Sequence, residues 1–271
     1  MGDSGHIITL TTDFGTRDCY VAAMKGVILE INPEACIVDL THEIGPQNVH
    51  EGAFFLKGSA PYFPNGTVHV VVVDPGVGTD RRALCVEADG CYYVAPDNGV
   101  LSLVATPERL VSAVAIENER YLRPTVSGTF HGRDVFAPAA AHLSLGVEMS
   151  DLGPPVHEMV RFELPAPTAS GDGAIAAQVI HIDRFGNIIT NADMATWNDL
   201  TRSGKGGDVQ IRIHGLVLSR TCKAYSEVPQ GSPLALWGSA DLLEISVNRG
   251  NAAERLGAKV GDLVTIQVGT R

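Results

Sequence analysis

The chain has 271 residues, of which 45% are apolar and 19% charged, and a formal net charge of −11. This is an ordinary globular composition, with apolar material for one large domain or two modest ones. The acidic balance argues against nucleic acid, whose binders need a clustered basic surface, and no apolar run approaches the ~20 residues that span a bilayer.

The first residues, MGDSGHIITLTTDFG, lack a basic n-region, so they are not expected to be a signal peptide. Met1-Gly2 would suit myristoylation, but His6 stands where Ser or Thr is needed. The five cysteines (Cys19, Cys36, Cys85, Cys91, Cys222) are odd in number and form no C-x-x-C pair. They read as reduced thiols, and a cytoplasmic protein is expected.

Ile7 to Thr11 predicts a strand that ends at Thr12-Asp13-Phe14-Gly15. Residues 18–31 carry Val21, Met24, Ile28 and Ile31 at helical spacing, stopped by Asn32-Pro33. A strand over Ala35–Leu40 and a helix over Val49–Ser59 follow. Then comes VVVVDPGVGTDRR, residues 70–82. Four successive β-branched residues suit a strand covered on both faces, as in a mainly parallel sheet. Ligands of such sheets sit outside the carboxyl ends of the strands, where Asp74 stands. On this segment alone, an aspartate capping a turn is an equal explanation.

LCVEADGCYYVAP, residues 84–96, predicts a hairpin turning at Asp89-Gly90, across which Cys85 and Cys91 could face each other, although buried free thiols are the stronger expectation. Pro96-Asp97-Asn98-Gly99 is expected to open a short helix. Asp134 is the expected N-cap of a helix through Ala137 to Leu145, with Pro138 in its first turn. Strand–helix alternation of this kind implies an α/β domain with a mainly parallel central sheet over residues 1–162. ELPAPTASGDG, residues 163–173, is the expected linker. Beyond it, residues 174–271 predict a smaller all-β, barrel-like domain of short strands: Ala174–Ile182, Asn187–Thr190, Val209–Ile213, Leu216–Ser219, Pro233–Trp237, Leu242–Val247 and Leu263–Val268. Only Ala252–Leu256 looks helical there.

Several tempting motifs fail. Asp13-Phe14-Gly15 spells a kinase triplet without the accompanying kinase loops, and no phosphate-binding G-x-x-x-x-G-K-[ST] occurs. His42, His50, His69 and His131 lack zinc-site spacing, so no metal is expected. What remains is a set of polar residues at strand ends and turns. They are Asp13, Asp74, Arg81, His131 in SGTFHGRD, the turn Asp183-Arg-Phe-Gly-Asn187, and GSAD at 238–241 before the strand holding Glu244 and ending at Asn248. Each alone suits a turn for backbone reasons. Together they outline a polar pocket with a carboxylate, an arginine and an imidazole, without naming a reaction.

Eight ordered blocks then match one family: ITLTTDFG (8–15), IVDLTHEI (37–44), EGAFFL (51–56), DPGVGTDRRA (74–83), APDNGVLS (95–102), FHGRDVFAP (130–138), IDRFGNIITN (182–191) and GSADLLEISVNRGNAAERLG (238–257). Over essentially its whole length the chain resembles the S-adenosylmethionine hydroxide adenosyltransferases, relatives of the S-adenosylmethionine halogenases. The resemblance implies hydrolysis of S-adenosyl-L-methionine by water at ribose C5′, giving adenosine and L-methionine without a cofactor. It also implies a homotrimer with the substrate between subunits. Carried over, the catalytic set falls on Asp74, Arg81 and His131, and the ribose-binding aspartate on Asp13. The methionine end would meet Asp183 and Ser239; adenine would meet Asn187 and the backbone of Val247, Asn248 and Arg249.

The resemblance also separates water from halide. Halogenases carry Tyr at the place of Asp74 and Thr at that of Val77, with an insertion before the APDNG-like block that Ala83–Ala95 lacks. Tyr20 and Gln47 stand where halogenases have Ser and Trp. A carboxylate repels an anion but accepts a proton from water. The alternatives are a halogenase, and a protein that binds S-adenosylmethionine or adenosine without reacting; a nucleoside hydrolase cutting at C1′ is more distant.

Overall fold

The computed structural model describes residues 7–169, 174–203 and 209–268; Met1, Gly2 and His6 lie outside them, as do residues 170–173 of the expected linker. The chain divides into two compact units, residues 1–163 and 164–271.

The first unit contains β1 (Ile7–Thr12), α1 (Tyr20–Ile31), β2 (Cys36–Thr41), α2 (Val49–Ser59), β3 (Val68–Val72), β4 (Ala83–Ala88), β5 (Cys91–Pro96), β6 (Leu110–Ala115) and α3 (Ala137–Ser144). Its six-stranded sheet has the order β2-β1-β3-β5-β4-β6. The pairs β1–β2, β1–β3 and β3–β5 are parallel, and β4 runs antiparallel to β5 and β6. The mixed, mainly parallel α/β sheet is the one expected from the alternating pattern. The valine strand is covered on both faces. Val70 and Val72 pack with Met24, Ile28 and Phe136, while Val71 packs with Leu56, Leu84 and Val100. From β1 the chain crosses to β2 on one side, whereas β3 lies on the other. The carboxyl ends of β1 and β3 therefore flank a topological switch point, where open α/β sheets leave a crevice.

Three local expectations need correction. The β4–β5 hairpin does turn at Asp89-Gly90, both with positive φ, but Cys85 pairs with Val94 and Cys91 with Ala88, so the two thiols do not face each other. Both are buried and free. Pro96–Gly99 opens no helix; the chain makes successive turns, because the Asn98 carboxamide oxygen accepts Val100 N–H at 3.1 Å in place of a helical partner. Asp134 does not cap α3. It lies inside a π-helical turn, Gly132–Phe136, with its carboxylate held by Arg133 and accepting Ser127 N–H at 2.9 Å. It therefore closes the 127–134 loop. β6 carries no clear alternation and was not expected.

The second unit contains β7 (Thr168–Ala169), β8 (Ala174–Ile182), β9 (Ile188–Asp193), α4 (Met194–Ser203), β10 (Val209–Ile213), β11 (Leu216–Leu218), β12 (Thr221–Cys222), β13 (Pro233–Trp237), β14 (Leu242–Val247), α5 (Ala252–Leu256) and β15 (Leu263–Val268). The strands follow the order β11-β10-β15-β8-β9-β14-β13-β12, antiparallel except for β12–β13, with β7 beside β8. This is the nearly closed, mainly antiparallel barrel-like sheet that the short strands predict, filled by Ile175, Val179, Ile188, Ile211, Ile245 and Val264. Two differences stand out. Thr168–Ala169, inside the expected linker, pairs with β8. A second helix, α4, follows β9, and its entry was legible as an N-cap, since Asp193 Oδ1 accepts Thr196 N–H at 2.8 Å. That bond holds the Asp193 carboxyl below the usual aspartate range.

Candidate active site

Asp13 and Asp74 stand just beyond the carboxyl ends of β1 and β3. Asp13 Oδ2 accepts the N–H of Gln47, 2.8 Å away, a residue in the left-handed region at φ 63°. Around it Thr12 Oγ1 meets His42 Nδ1 at 2.9 Å, and Gly15 N–H donates to the His42 carbonyl at 2.7 Å. These bonds tie the loop after β1 to the loop after β2.

The Asp74 side chain is only 5% exposed and faces Arg81. Arg81 Nε lies 3.0 Å from Oδ1, and Nη2 lies 2.5 Å from Oδ2. The same Nη2 lies 2.7 Å from His131 Nδ1. The guanidinium sits 5.3 Å from the centre of the Phe136 ring. A guanidinium is a donor only, so His131 Nδ1 must offer its lone pair and the imidazole proton resides on Nε2. Burial, reinforced by the Arg81 charge, pulls the His131 pKa below its ordinary 6.5, against the opposing pull of Asp74 and Asp134. His131 is the neutral Nε2–H form at neutral pH.

Local sequence explains the approach of Arg81 to His131. Pro75 to Thr79 form tight turns, with Thr79 N–H and Oγ1–H both donating to the Gly76 carbonyl. Gly78, at φ 78°, presses against the Gly128 carbonyl so closely that a β-carbon would overlap it. Only glycine meets both conditions. The loop after β3 thus lies against the loop before α3, which carries His131.

Asp13, Asp74 and His131 line one cavity of about 330 Å³ together with Tyr20, Gln47 and Phe130. Its acidic side is Asp13 and Asp74. Its lining also holds an aromatic cluster: Phe14, Tyr20 and Phe130 lie with ring centres 5.2–5.9 Å apart. Two carboxylates and an aromatic cluster lining one cavity suit a cationic ligand with a flat or apolar part. The family resemblance singled out Tyr20 and Gln47 as positions that differ from the halogenases but gave no role to Phe14 and Phe130, although each is adjacent to a named residue. Among the described residues, no group of three His, Cys, Asp or Glu side chains is arranged to hold a metal ion.

In the second unit, Asp183 and Asn187 are bonded to each other. Asp183 Oδ1 accepts Phe185 N–H and Asn187 N–H, each at 2.9 Å, and Oδ2 accepts Asn187 Nδ2–H at 2.8 Å. Much of this carboxylate braces its own turn. Ser239 is exposed in the β13–β14 turn, at one end of β14, and Val247 to Arg249 lie at the other. Asn248 donates to the Val228 carbonyl at 2.7 Å, and Arg249 is exposed at φ 55°. Beneath the Ser239 turn, buried Glu244 accepts from Tyr225 at 2.6 Å and from Ser246 at 2.7 Å. Burial and this carboxylate push the Tyr225 phenol up.

Models of the SAM hydroxide adenosyltransferase N-terminal and C-terminal domains match residues 8–153 and 177–265. A Thermus thermophilus protein named (R)-S-adenosyl-L-methionine hydrolase is 44% identical over 261 residues, covering 92% of this chain and 95% of that one. A Methanocaldococcus jannaschii protein of the same name is 39% identical, covering 96% and 95%. A fluorinase of Actinoplanes sp. is more distant, at 29% identity with 96% and 97% covered. The crystal structure of an uncharacterized conserved protein from Thermotoga maritima superposes with a TM-score of 0.88 at 37% identity, covering 96% of this chain and 99% of that one.

Proposed function

Because this chain belongs to the SAM hydroxide adenosyltransferase family, we infer that it hydrolyses (R)-S-adenosyl-L-methionine to adenosine and L-methionine. The observation that carries the choice of nucleophile is the carboxylate of Asp74 on the cavity wall, braced from behind by Arg81. A halide would be repelled there, whereas water finds an acceptor.

The reaction is a displacement at ribose C5′. The C5′–O bond forms as the C5′–S bond breaks, and the electron pair goes to sulfur, which departs as a neutral thioether. No acid is needed for the leaving group. One proton must leave the attacking water. His131 cannot take it, since Nδ1 is occupied by Arg81 and Nε2 already bears a proton. We assign proton acceptance to Asp74 and donation of an orienting hydrogen bond to His131. Arg81 fixes both groups; Asp74 Oδ2 accepts both its Nε and Nη2, whereas Oδ1 accepts Nε at 3.0 Å and keeps a second lone pair for water. Holding one water in line can supply roughly 7–11 kcal/mol in favourable cases. The carboxylates of Asp13 and Asp74 also favour the sulfonium substrate over the neutral products.

In the same reading Asp13 holds the ribose hydroxyls through the oxygen that Gln47 leaves free, and the aromatic cluster excludes bulk water. Asp183 and Ser239 hold the methionine end, while Asn187 and the backbone of Val247, Asn248 and Arg249 meet adenine. A homotrimer in the cytoplasm completes it; the five unpaired thiols support a reducing compartment.

Incubation with S-adenosylmethionine in ¹⁸O-water, with and without chloride or fluoride, tests the reaction. Label in the 5′-hydroxyl of adenosine is expected. A 5′-halo product or unlabelled adenosine would overturn attack by water, and tight binding without product would indicate a non-reacting binder.

A further inference from the structure

The spacing between Asp74 and Arg81 is held from outside their own loop. Asn98 Nδ2 donates to the Val73 carbonyl at 2.8 Å, gripping the residue before Asp74. Asp97 grips the residue after Arg81. Its Oδ2 accepts Arg82 Nε at 2.9 Å and Nη2 at 2.5 Å, and its N–H donates to the Arg82 carbonyl at 2.9 Å. Two neighbouring residues of one turn therefore hold both ends of the catalytic loop. The turn is itself fixed. Asn98 Oδ1 accepts Val100 N–H, Asp97 Oδ1 accepts Val160 N–H at 2.8 Å, and Arg82 Nη2 reaches the Glu158 carbonyl at 2.6 Å.

Backbone accounting explains why side chains do this work. β3 and β5 pair from Val68–Tyr92 to Val70–Val94, and Pro96, the last residue of β5, has no N–H with which to extend that parallel ladder. The Val73 carbonyl would be left unpaired at the buried end of the strand, and Asn98 supplies the missing donor.

We propose that Asp97, Asn98 and Arg82 are positioning residues of the hydrolase, a two-point clamp that sets the Asp74–Arg81 geometry. This rests on the hydrolase reading for its rate consequences. The clamp touches no part of the 330 Å³ cavity, so it acts on turnover and not on binding. A merely structural turn would weaken the fold in every background alike.

The test uses the full chain with Asn98→Ser, which keeps an oxygen for Val100 N–H but is too short to reach Val73, and Arg82→Ala. Each is made alone and in an Asp74→Asn background. Each single change is expected to lower kcat by about 10–100-fold, the scale of an ångström misplacement, with KM and adenosine affinity within about threefold. In the Asp74→Asn background the same changes should lower kcat by less than about threefold, because coupled residues are non-additive. Equal losses in both backgrounds, or an unchanged kcat, overturn the clamp. Should Asn98→Ser not fold, Arg82→Ala carries the test, since that side chain is 42% exposed.

A readout independent of turnover is the NMR titration of His131, identified among the nine histidines by His131→Ala. Arg81 is the cation whose charge lowers the His131 pKa. Asn98→Ser, which removes no charge, should let Arg81 drift and raise the His131 midpoint. An unmoved midpoint counts against the clamp. Wild-type protein that forms no adenosine from S-adenosylmethionine would count against the hydrolase reading instead, and the titration would still decide the clamp.

Discussion

Arg81 donates to His131 across 2.7 Å at Nδ1, and this single contact fixes the imidazole as a donor. Protonating Nδ1 would set two cations against each other, so the contact survives only while the ring is neutral. The His131 pKa lies below 6.5. Turnover should therefore stay level through neutral pH and fall only as pH drops below that range. Replacing Arg81 with Met removes a cause of the depression, so the His131 NMR midpoint should rise. A midpoint that stays put would contradict the assigned tautomer.

Asp74→Asn keeps the shape of the carboxylate and removes its capacity to take a proton. A fall in kcat of roughly 10²–10⁴ is expected, the usual size of a lost general base. Adenosine affinity, measured by calorimetry, should be little changed. Near-normal turnover in this variant would return the proton to another acceptor.

Asp13→Ala should act on binding. Hydrogen bonds to a charged group contribute about 1.5–3 kcal/mol, so KM should rise by roughly 10–150-fold with a smaller effect on kcat. Comparing adenosine with its 2′- and 3′-deoxy forms checks the contact. The wild type should discriminate between them, and the variant should not.

Gly78→Ala introduces a β-carbon against the Gly128 carbonyl at a positive φ. Strain at such a position is of order 1–3 kcal/mol. Relief requires the two loops to part, so the Arg81–His131 contact should open and kcat should fall more than tenfold. Retained activity with unchanged thermal stability would show that the loops yield elsewhere.

His69 supplies a pH dependence of stability unrelated to the site. It is fully buried on β3, with Thr9 Oγ1 at 2.8 Å and the Tyr93 ring stacked 5.1 Å away. Burial lowers its pKa from 6.5 to about 4. The unfolded chain takes up the proton first, so stability is complete above pH 6.5 and is lost as pH falls toward 4. The loss should reach about 2 kcal/mol by pH 5. Urea unfolding at pH 7 and 5 measures it, and His69→Gln should flatten the difference.

The α/β alternation, the valine strand and the short strands after residue 174 were legible because periodicity and turn residues are local signals. Two misreadings, at Pro96–Gly99 and at Asp134, share one cause. Asn98 answers to Val100 and Val73, and Asp134 answers to Arg133 and Ser127. Those competing bonds, not helix propensity, decided both segments. α4 was missed although its Asp193 cap is local.

By itself the sequence determined the family, the α/β and all-β character of the two units and the chemical identities of Asp74, Arg81 and His131. Their approach is another matter, because the three lie seven and 50 residues apart along the chain. Only the tertiary structure decided that Arg81 stands between the other two, and therefore which imidazole nitrogen bears the proton. That arrangement depends on Gly78 meeting Gly128 and on Asn98 reaching Val73, contacts between segments that no local propensity can encode.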